Sequence, residues 1–353
     1  MTSAIPRSER QVATWLLACC LVLFGLVVLG GVTRITGSGL SITEWKPVTG
    51  VLPPLSQEAW QAEFDLYRAT PEYQKVNRGM SMSDFKFIYG FEYAHRLLAR
   101  LLGLVFVVPL VVFWVRGKIP PRLRWPLLGI LALGCLQGYM GWFMVKSGLV
   151  DVPRVSPYRL FMHLGLALVI FSAMFWLALK LLRPRQGPPS AAHGWLRALL
   201  GLLVVTVVSG AFVAGNKAGY VYNTFPLMAG QWIPDGLLHL EPLWRNWTEH
   251  PVMVQFTHRW LGIATALLAL GAWAYAWRLE LDRVQRLALH VLAVMVLVQA
   301  TLGIKTLLLY VPVGLGAAHQ GGAVVLLAAT LFALHETGRA PAGATPAGQL
   351  STA

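Results

Sequence analysis

The sequence of 353 residues has few charged side chains, with only 12% Asp, Glu, Lys and Arg against roughly 25% in soluble domains. Because 56% of its residues are hydrophobic, this lack of charge excludes a water-soluble enzyme and a disordered chain. Cys19, Cys20 and Cys135 all fall within apolar runs, so we expect neither a disulfide framework nor a cysteine-based metal site. Acidic residues number 15 against 29 basic ones, but the basic residues lie in alternate short loops, which indicates membrane orientation rather than nucleic-acid binding.

The sequence contains several long runs of uncharged residues. A helix needs about 20 residues to cross the hydrocarbon core of a membrane. Six runs of 18 to 23 uncharged residues meet this length: 11–33, 125–145, 160–179, 198–216, 260–277 and 287–304. Two further spans are expected at about 88–115 and 315–335. The sequence therefore predicts an all-α integral membrane protein with eight transmembrane helices.

The distribution of Lys and Arg predicts how these helices are oriented. The N-terminus and the loops after the second, fourth and sixth helices are basic, whereas the other loops are balanced by acids or almost uncharged. Both termini are therefore expected in the cytoplasm of a cell whose inner membrane holds the protein. The long loops, about 34–87 and 216–251, then face the periplasm. Residues 1–11 form a cytoplasmic segment, and 338–353 are expected to be a disordered cytoplasmic tail.

The two halves of the chain resemble each other. The second helix opens EYAHRLLARLLG and the sixth QFTHRWLGIATA, while the fourth opens LFMHLGLALV and the eighth GAAHQGGAVV. Since each unit has an even number of helices, the second unit enters the membrane in the same orientation as the first. We expect two pseudo-symmetric, parallel four-helix bundles, 12–185 and 194–337.

Four of the nine histidines stand at matched positions in the repeat: His95, His163, His258 and His319. Each lies near the outer start of an even-numbered helix, so each bundle presents two imidazoles that can ligate haem iron from both faces. A single histidine within a membrane often serves only as an interhelical hydrogen bond, but a fourfold match favours ligands. Zinc and copper fit less well, because no cysteine or second carboxylate completes a tetrahedral set.

Two arginines, Arg96 and Arg259, directly follow a histidine in each half. Their guanidinium groups match the geometry of haem propionates, so we interpret them as cofactor-binding residues. The alternative is that they extend to the outer membrane interface. Gln137 and Gln299, also matched in the repeat, are expected to form hydrogen bonds between helices.

The halves differ at Glu92, which stands three residues before His95 on the same helix face and corresponds to Gln255 in the second half. A buried carboxyl group can act as an acid, a base or a stabiliser of charge. The pattern therefore predicts chemistry in the first half and a permanent cofactor in the second. The alternative for Glu92 is a salt bridge with Arg96 or Arg100.

The span from about 12 to 337 resembles the haem A synthase family. The resemblance lies in five motifs: GGVTRITGSGLSITEWKPVTGVLPP, EYAHRLLAR, RLFMHLGLA, QFTHRWLG and AAHQGGA. The long first outer loop is similar to that of the proteobacterial and mitochondrial branch. The cysteine pairs that another branch carries in its outer loops are missing here.

This resemblance implies an oxidoreductase that converts the C8 methyl group of haem O into the formyl group of haem A for terminal oxidases. Two successive hydroxylations followed by loss of water are the implied route. His258 and His319 would ligate a resident haem b in the second half. His95 and His163 would flank the substrate haem in the first half, with Glu92 as the catalytic carboxylate.

The implied partners are the haem O synthase that makes the substrate, an unidentified electron-transfer partner, membrane lipid and a second copy of the chain. Nucleic acid is not expected. Two other functions stay open at this stage. A cytochrome-b-like carrier would use two haems to move electrons, although four ligands at one depth suit transmembrane relay poorly. A transporter would bind its substrate between the repeats and contain no porphyrin.

Overall fold

The computed structural model describes residues 5–46, 49–148, 155–184 and 188–338. In these residues the secondary structure is helical, apart from one isolated β-bridge between Met228 and Gln231. The α-helices, in chain order, are α1 (Arg7–Ile35), α2 (Gln57–Arg68), α3 (Pro71–Lys75), α4 (Met82–Val115), α5 (Pro121–Gly148), α6 (Pro157–Leu182), α7 (Ala192–Gly215), α8 (Asn246–Glu249), α9 (Pro251–Ala276), α10 (Arg283–Leu308) and α11 (Val313–Thr337). The predicted disordered tail lies outside the described residues except for its first residue, Gly338.

Long helices occupy all eight predicted spans. Seven of them, α1, α4, α5, α6, α7, α10 and α11, are long and apolar enough to cross a membrane. The eighth, α9, has 26 residues but does not reach the same apolar composition, because its first turns carry Gln255, His258 and Arg259. The prediction of a multi-pass helical membrane protein is confirmed, and seven of its eight spans are confirmed by length and composition.

Capping residues determine where several helices begin. The Ser81 hydroxyl accepts a hydrogen bond from the Asp84 backbone N–H, and the Asp84 carboxylate accepts one in return from the Ser81 backbone. Asp282 and Gln285 form the same capping box at the start of α10. Such reciprocal bonds satisfy N–H groups that the first helical turn leaves unpaired. Because of its cap, α4 begins at Met82, six residues before the predicted span.

The helices of each half contact one another in a closed ring. In the first half α1 packs on α4 and α6, and α5 packs on α4 and α6. In the second half α7 packs on α9 and α11, and α10 packs on α9 and α11. The two halves meet where α1 contacts α11, where α6 contacts α7, and where α6 contacts α11.

The apolar core fills one end of the helices. It includes Val12 to Val27 of α1 and Val324 to Leu334 of α11, together with residues of the other long helices at the same end. Helices α4 and α5 are peripheral, since only 11% of the apolar window of each is buried, against 61% for α11. The opposite end of the bundles carries the polar side chains of the candidate site.

The first long loop is partly helical, which the sequence analysis did not predict. Helix α2 places Phe64 and Tyr67 against Phe85 and Tyr89 of α4, and Tyr73 of α3 packs on the same aromatic cluster, which is separate from the main core. We call residues 38–46 and 49–80 the outer cap. The cap covers the start of α4 and thereby closes over Glu92.

Candidate functional site

The histidines of the second half face each other. The imidazole centroids of His258 on α9 and His319 on α11 are 6.4 Å apart, with the ring planes at 82°. A metal–imidazole bond is about 2 Å long, so two rings that share one metal ion have centroids about 6 Å apart. The spacing of this pair therefore fits one ion between the two rings.

The kind of metal follows from what surrounds the pair. Within the described ranges, no cluster of three or more His, Cys, Asp or Glu side chains could hold a metal ion. Two imidazoles alone suit a metal that brings its other ligands with it, as haem iron does. The residues present thus fit haem better than a bare transition-metal ion.

A hydrogen bond prepares His258 for metal binding. The Ser209 hydroxyl donates its only hydrogen to the backbone oxygen of Thr206 at 2.7 Å, and it lies 2.8 Å from Nδ1 of His258. With its hydrogen on the Thr206 oxygen, the hydroxyl accepts from the ring, and this assignment places the proton on Nδ1 and leaves a lone pair on Nε2. Fixing the tautomer in this way is typical of the outer shell of metal-binding histidines.

Glutamine side chains contact the histidines of α6 and α11. Nε2 of Gln137 donates to the backbone oxygen of His163 at 3.0 Å, and Nε2 of Gln299 donates to that of His319 at 2.9 Å. Both are hydrogen bonds between helices, as predicted. The Oε1 atoms of both glutamines are buried without a hydrogen-bond partner, so each glutamine keeps one unused acceptor at the site.

The Nδ1 atom of His319 faces the side-chain amide of Gln299. Nε2 of Gln299 lies 3.1 Å from this nitrogen, while Oε1 of Gln299 is buried without a partner. An imidazole that ligates a metal through Nε2 carries its proton on Nδ1. With the amide oxygen in place of the nitrogen, Gln299 would accept that proton's hydrogen bond.

In the first half, Glu92 is buried and fully hydrogen-bonded, with 3% of its surface exposed. Its Oε2 accepts from the backbone N–H of Ser41 at 2.7 Å, from the Ser41 hydroxyl at 2.7 Å and from the backbone N–H of Ile42 at 2.9 Å. Its Oε1 accepts from Nη2 of Arg96 at 2.6 Å. Of the two predicted salt-bridge partners, Arg96 is the one in contact, since the Nη2 atom of Arg100 donates to the Lys46 backbone oxygen.

The corresponding Gln255 holds its own outer loop with the opposite polarity. Its Nε2 donates to the backbone oxygens of Ala218 at 2.9 Å and Tyr222 at 3.1 Å. Gln255 also accepts from Arg259 at 3.3 Å. In both halves, a side chain of the second long helix therefore holds an outer loop by hydrogen bonds. This side chain is a carboxylate in the first half and an amide in the second.

The two arginines predicted to bind propionates are directed at loop carbonyls. Arg96 donates to the backbone oxygens of Ile42 at 2.9 Å and Glu44 at 3.0 Å. Arg259 donates to those of Tyr222 at 2.7 Å and Thr224 at 2.6 Å. In this structure the two guanidinium groups are loop anchors, and pairing with propionates stays a prediction.

A cleft beside Arg96 opens toward the outer cap. It is lined in part by Glu44, Tyr93 and Arg100, and its volume is about 180 Å³. Pockets for drug-sized ligands span about 300–1,000 Å³. The cleft is therefore too small to hold a porphyrin, and the histidines alone define the candidate haem site.

Sequence reasoning missed Ser41 and Ser209. Ser41 lies 51 residues from Glu92 along the chain, and no spacing rule connects the two. Ser209 lies 49 residues from His258 along the chain, and no spacing rule connects these two residues either.

Comparison with known proteins shows the family of the chain. A family model described as cytochrome oxidase assembly protein, COX15-CtaA, matches residues 13–331. The chain is similar to the haem A synthase of Nitrosospira multiformis, with 48% identity over 96% of this chain and 98% of that protein. It is also similar to the haem A synthase of Nitrosomonas eutropha, with 50% identity over 92% and 93% of the two chains. The haem A synthase COX15 of Arabidopsis thaliana is 46% identical over 94% of this chain and 75% of that protein. The chain belongs to the COX15-CtaA family of cytochrome oxidase assembly proteins.

Proposed function

We propose that the protein is a haem A synthase, an oxidoreductase that converts the C8 methyl group of haem O into the formyl group of haem A. The family match and the relatives named haem A synthase support the activity. The observation in the structure that carries it is the 6.4 Å pair of His258 and His319, which fits one haem iron.

A resident haem b would be held by His258 and His319. The group supplies one-electron redox chemistry when bound. Ser209 would keep His258 in the metal-binding tautomer. Arg259, beside His258, holds the loop that covers this end of α9, and it would pair with a propionate if that loop moved.

The substrate haem would lie between His95 and His163 in the first half. Glu92, one helical turn from His95, is the proposed catalytic carboxylate, and Arg96 keeps it paired. Because Oε2 of Glu92 is occupied by Ser41 and Ile42, the carboxylate reaches substrate only if the outer cap shifts. The peripheral position of α4 and α5 suits a haem that must enter and leave.

We further propose that all eight long helices span the inner membrane as two pseudo-symmetric four-helix bundles, 12–185 and 194–337. The matching helix contacts of the two halves support this arrangement. Both termini would be cytoplasmic and the haem sites periplasmic, as the basic loops indicate. A cysteine placed at the exposed Leu55 of the outer cap should react with an impermeant maleimide in intact cells. Reaction only after lysis would reverse the orientation.

The proposed partners are those that the family resemblance implies. Haem O synthase would deliver the substrate, and a separate redox protein would exchange electrons with the resident haem. Membrane lipid surrounds the chain, and a homo-oligomer is part of the same proposal.

The proposal is tested by extracting the haem groups from protein purified from cells that also make haem O. Haem b together with haem O or haem A is the expected result. Haem b alone would favour an electron carrier, and protein without haem would favour a transporter. His290→Ala is a matched control, because this histidine bonds to Trp273 away from the site and its loss should not alter haem content.

A further inference from the structure

A glycine lies against each of the four matched imidazoles. A Cβ atom added to these glycines would come within 3.1 Å of a ring atom, which is closer than real Cβ atoms normally approach. The distances are 3.0 Å for Gly30 to His95, 3.1 Å for Gly141 to His163, 3.0 Å for Gly210 to His258 and 2.8 Å for Gly303 to His319.

The pairing follows the order of the helices. In every case the glycine is on the long helix that precedes the histidine: α1 before α4, α5 before α6, α7 before α9 and α10 before α11. Three glycines face the Cε1 atom of the ring, and Gly30 faces Nε2 of His95. Turning that imidazole by 180° exchanges the two atoms, so all four rings present the same edge to their glycine.

We infer that Gly30, Gly141, Gly210 and Gly303 are positioning residues that set the rotation of the haem-ligating imidazoles. The inference rests on the proposed function. Glycine weakens a helix interior relative to alanine, so its placement against the ring in all four pairs calls for a local reason. Any side chain at these positions would push the ring away from the neighbouring helix and change where its nitrogen points.

For three of the four histidines, the helix that carries the glycine also forms a hydrogen bond to the histidine, either to its ring or to its backbone oxygen. Gln137 stands four residues before Gly141, and Gln299 four residues before Gly303, so each shares a helix face with its glycine. Ser209, adjacent to Gly210, bonds to the His258 ring. A polar group and an open glycine face together define the position of each of these histidines.

General helix packing is the competing explanation, and glycines of the same helices separate the two. Gly201 on α7 and Gly138 on α5 have no neighbour within 4 Å of an added Cβ. Replacing them by alanine adds the same methyl group to the same helix without touching a histidine. They are therefore matched controls for Gly210 and Gly141.

The test compares purified Gly210→Ala and Gly201→Ala with the parent protein by haem-to-protein ratio and by the low-spin electron paramagnetic resonance signal, which reports the orientation of axial imidazoles. Gly210→Ala should shift that signal and retain haem about 10-fold less well, as loss of outer-shell support typically does. Gly201→Ala should match the parent. An unchanged signal in Gly210→Ala, or the same loss in both variants, would overturn the inference.

Gly141→Ala keeps the inference testable if Gly210→Ala fails to fold. Its methyl group touches His163 in the other half, so haem b should remain while the spectrum of bound haem O changes; Gly138→Ala should change neither. Loss of haem b, or a haem O spectrum like that of the parent, would contradict the inference. A parent protein without any haem would instead overturn the proposed function.

Discussion

The two halves of the molecule share a frame and differ in how tightly they are built. In the second half, the rings of His258 and His319 lie 6.4 Å apart. In the first half, no ring contact joins His95 and His163 among the described residues, although the two imidazoles lie near enough to interact electrostatically. The first half also has the two most exposed long helices, α4 and α5. The difference suits a closed site for a permanent group and an open one for a substrate that is exchanged.

The halves differ in charge as well. Glu92 presents acceptor oxygens to the N–H groups of its loop, whereas Gln255 presents an amide N–H to the carbonyls of its own. The same anchoring task is therefore met by a charged group in one half and a neutral one in the other. In the first half the loop N–H groups and Arg96 together need two acceptor oxygens, and only a carboxylate supplies both.

The largest expected effect comes from removing one histidine of the His258–His319 pair. Removing either imidazole by His258→Ala or His319→Ala leaves an open and weaker haem site, so we expect almost complete loss of haem b from the purified protein. Pyridine haemochrome spectra measure the loss, with His290→Ala as the control. A full low-spin haem b spectrum in either variant would refute the assignment of these ligands.

The next largest effect is expected when the carboxylate of Glu92 is replaced by a neutral amide. The Glu92→Gln side chain has one oxygen and one NH₂ group, so it cannot accept hydrogen bonds both from Arg96 and from the backbone N–H groups of Ser41 and Ile42. Its NH₂ group always faces one of these donors. Haem b should be retained, while haem A formation should fall by about 10²-fold, the usual contribution of a positioned acid or base. Analysis of extracted haems checks this, and Glu72→Gln in the outer cap should leave the activity intact. Normal haem A formation would remove Glu92 from the mechanism.

A moderate effect is expected when the tautomer of His258 is released. Ser209→Ala removes the acceptor for the ring Nδ1–H, and outer-shell partners of metal ligands typically contribute about 10-fold in affinity. Haem titration of the purified protein measures this change. Thr301→Ala, which removes a hydroxyl bonded within α10 only, should have no effect. Equal haem affinity in the parent and in Ser209→Ala would contradict the role of the serine.

The smallest effect concerns the outer cap, which only the first half carries. Burial raises the pKa of Glu72 from its ordinary value of 4.5 to about 7. The folded cap thus favours the protonated carboxyl group, and its stability is greatest below about pH 4.5 and declines as the pH rises through 7. Hydrogen exchange in α2 and α3, corrected for intrinsic rates, should be faster at about pH 8 than at about pH 5. Glu72→Gln should abolish the difference, and a pH effect that persists in it would point to another group.

The sequence was sufficient for the long helices and for the matched histidines, because runs of about 20 apolar residues and a repeat are properties of the chain itself. It was not sufficient for α2 and α3, whose mixed polar composition showed no span and whose stability depends on packing Phe64 and Tyr67 against α4. The bonds from Ser41 to Glu92 and from Ser209 to His258 depend on side-chain orientation after folding. For the same reason, the repeat predicted the histidines but not which glycine each imidazole packs against.

The most direct test of the account is an experimental structure of the protein loaded with haem b. We expect the haem iron to be bonded to Nε2 of both His258 and His319, at about 2 Å from each. A haem bound through only one of them, or held between other side chains, would contradict it.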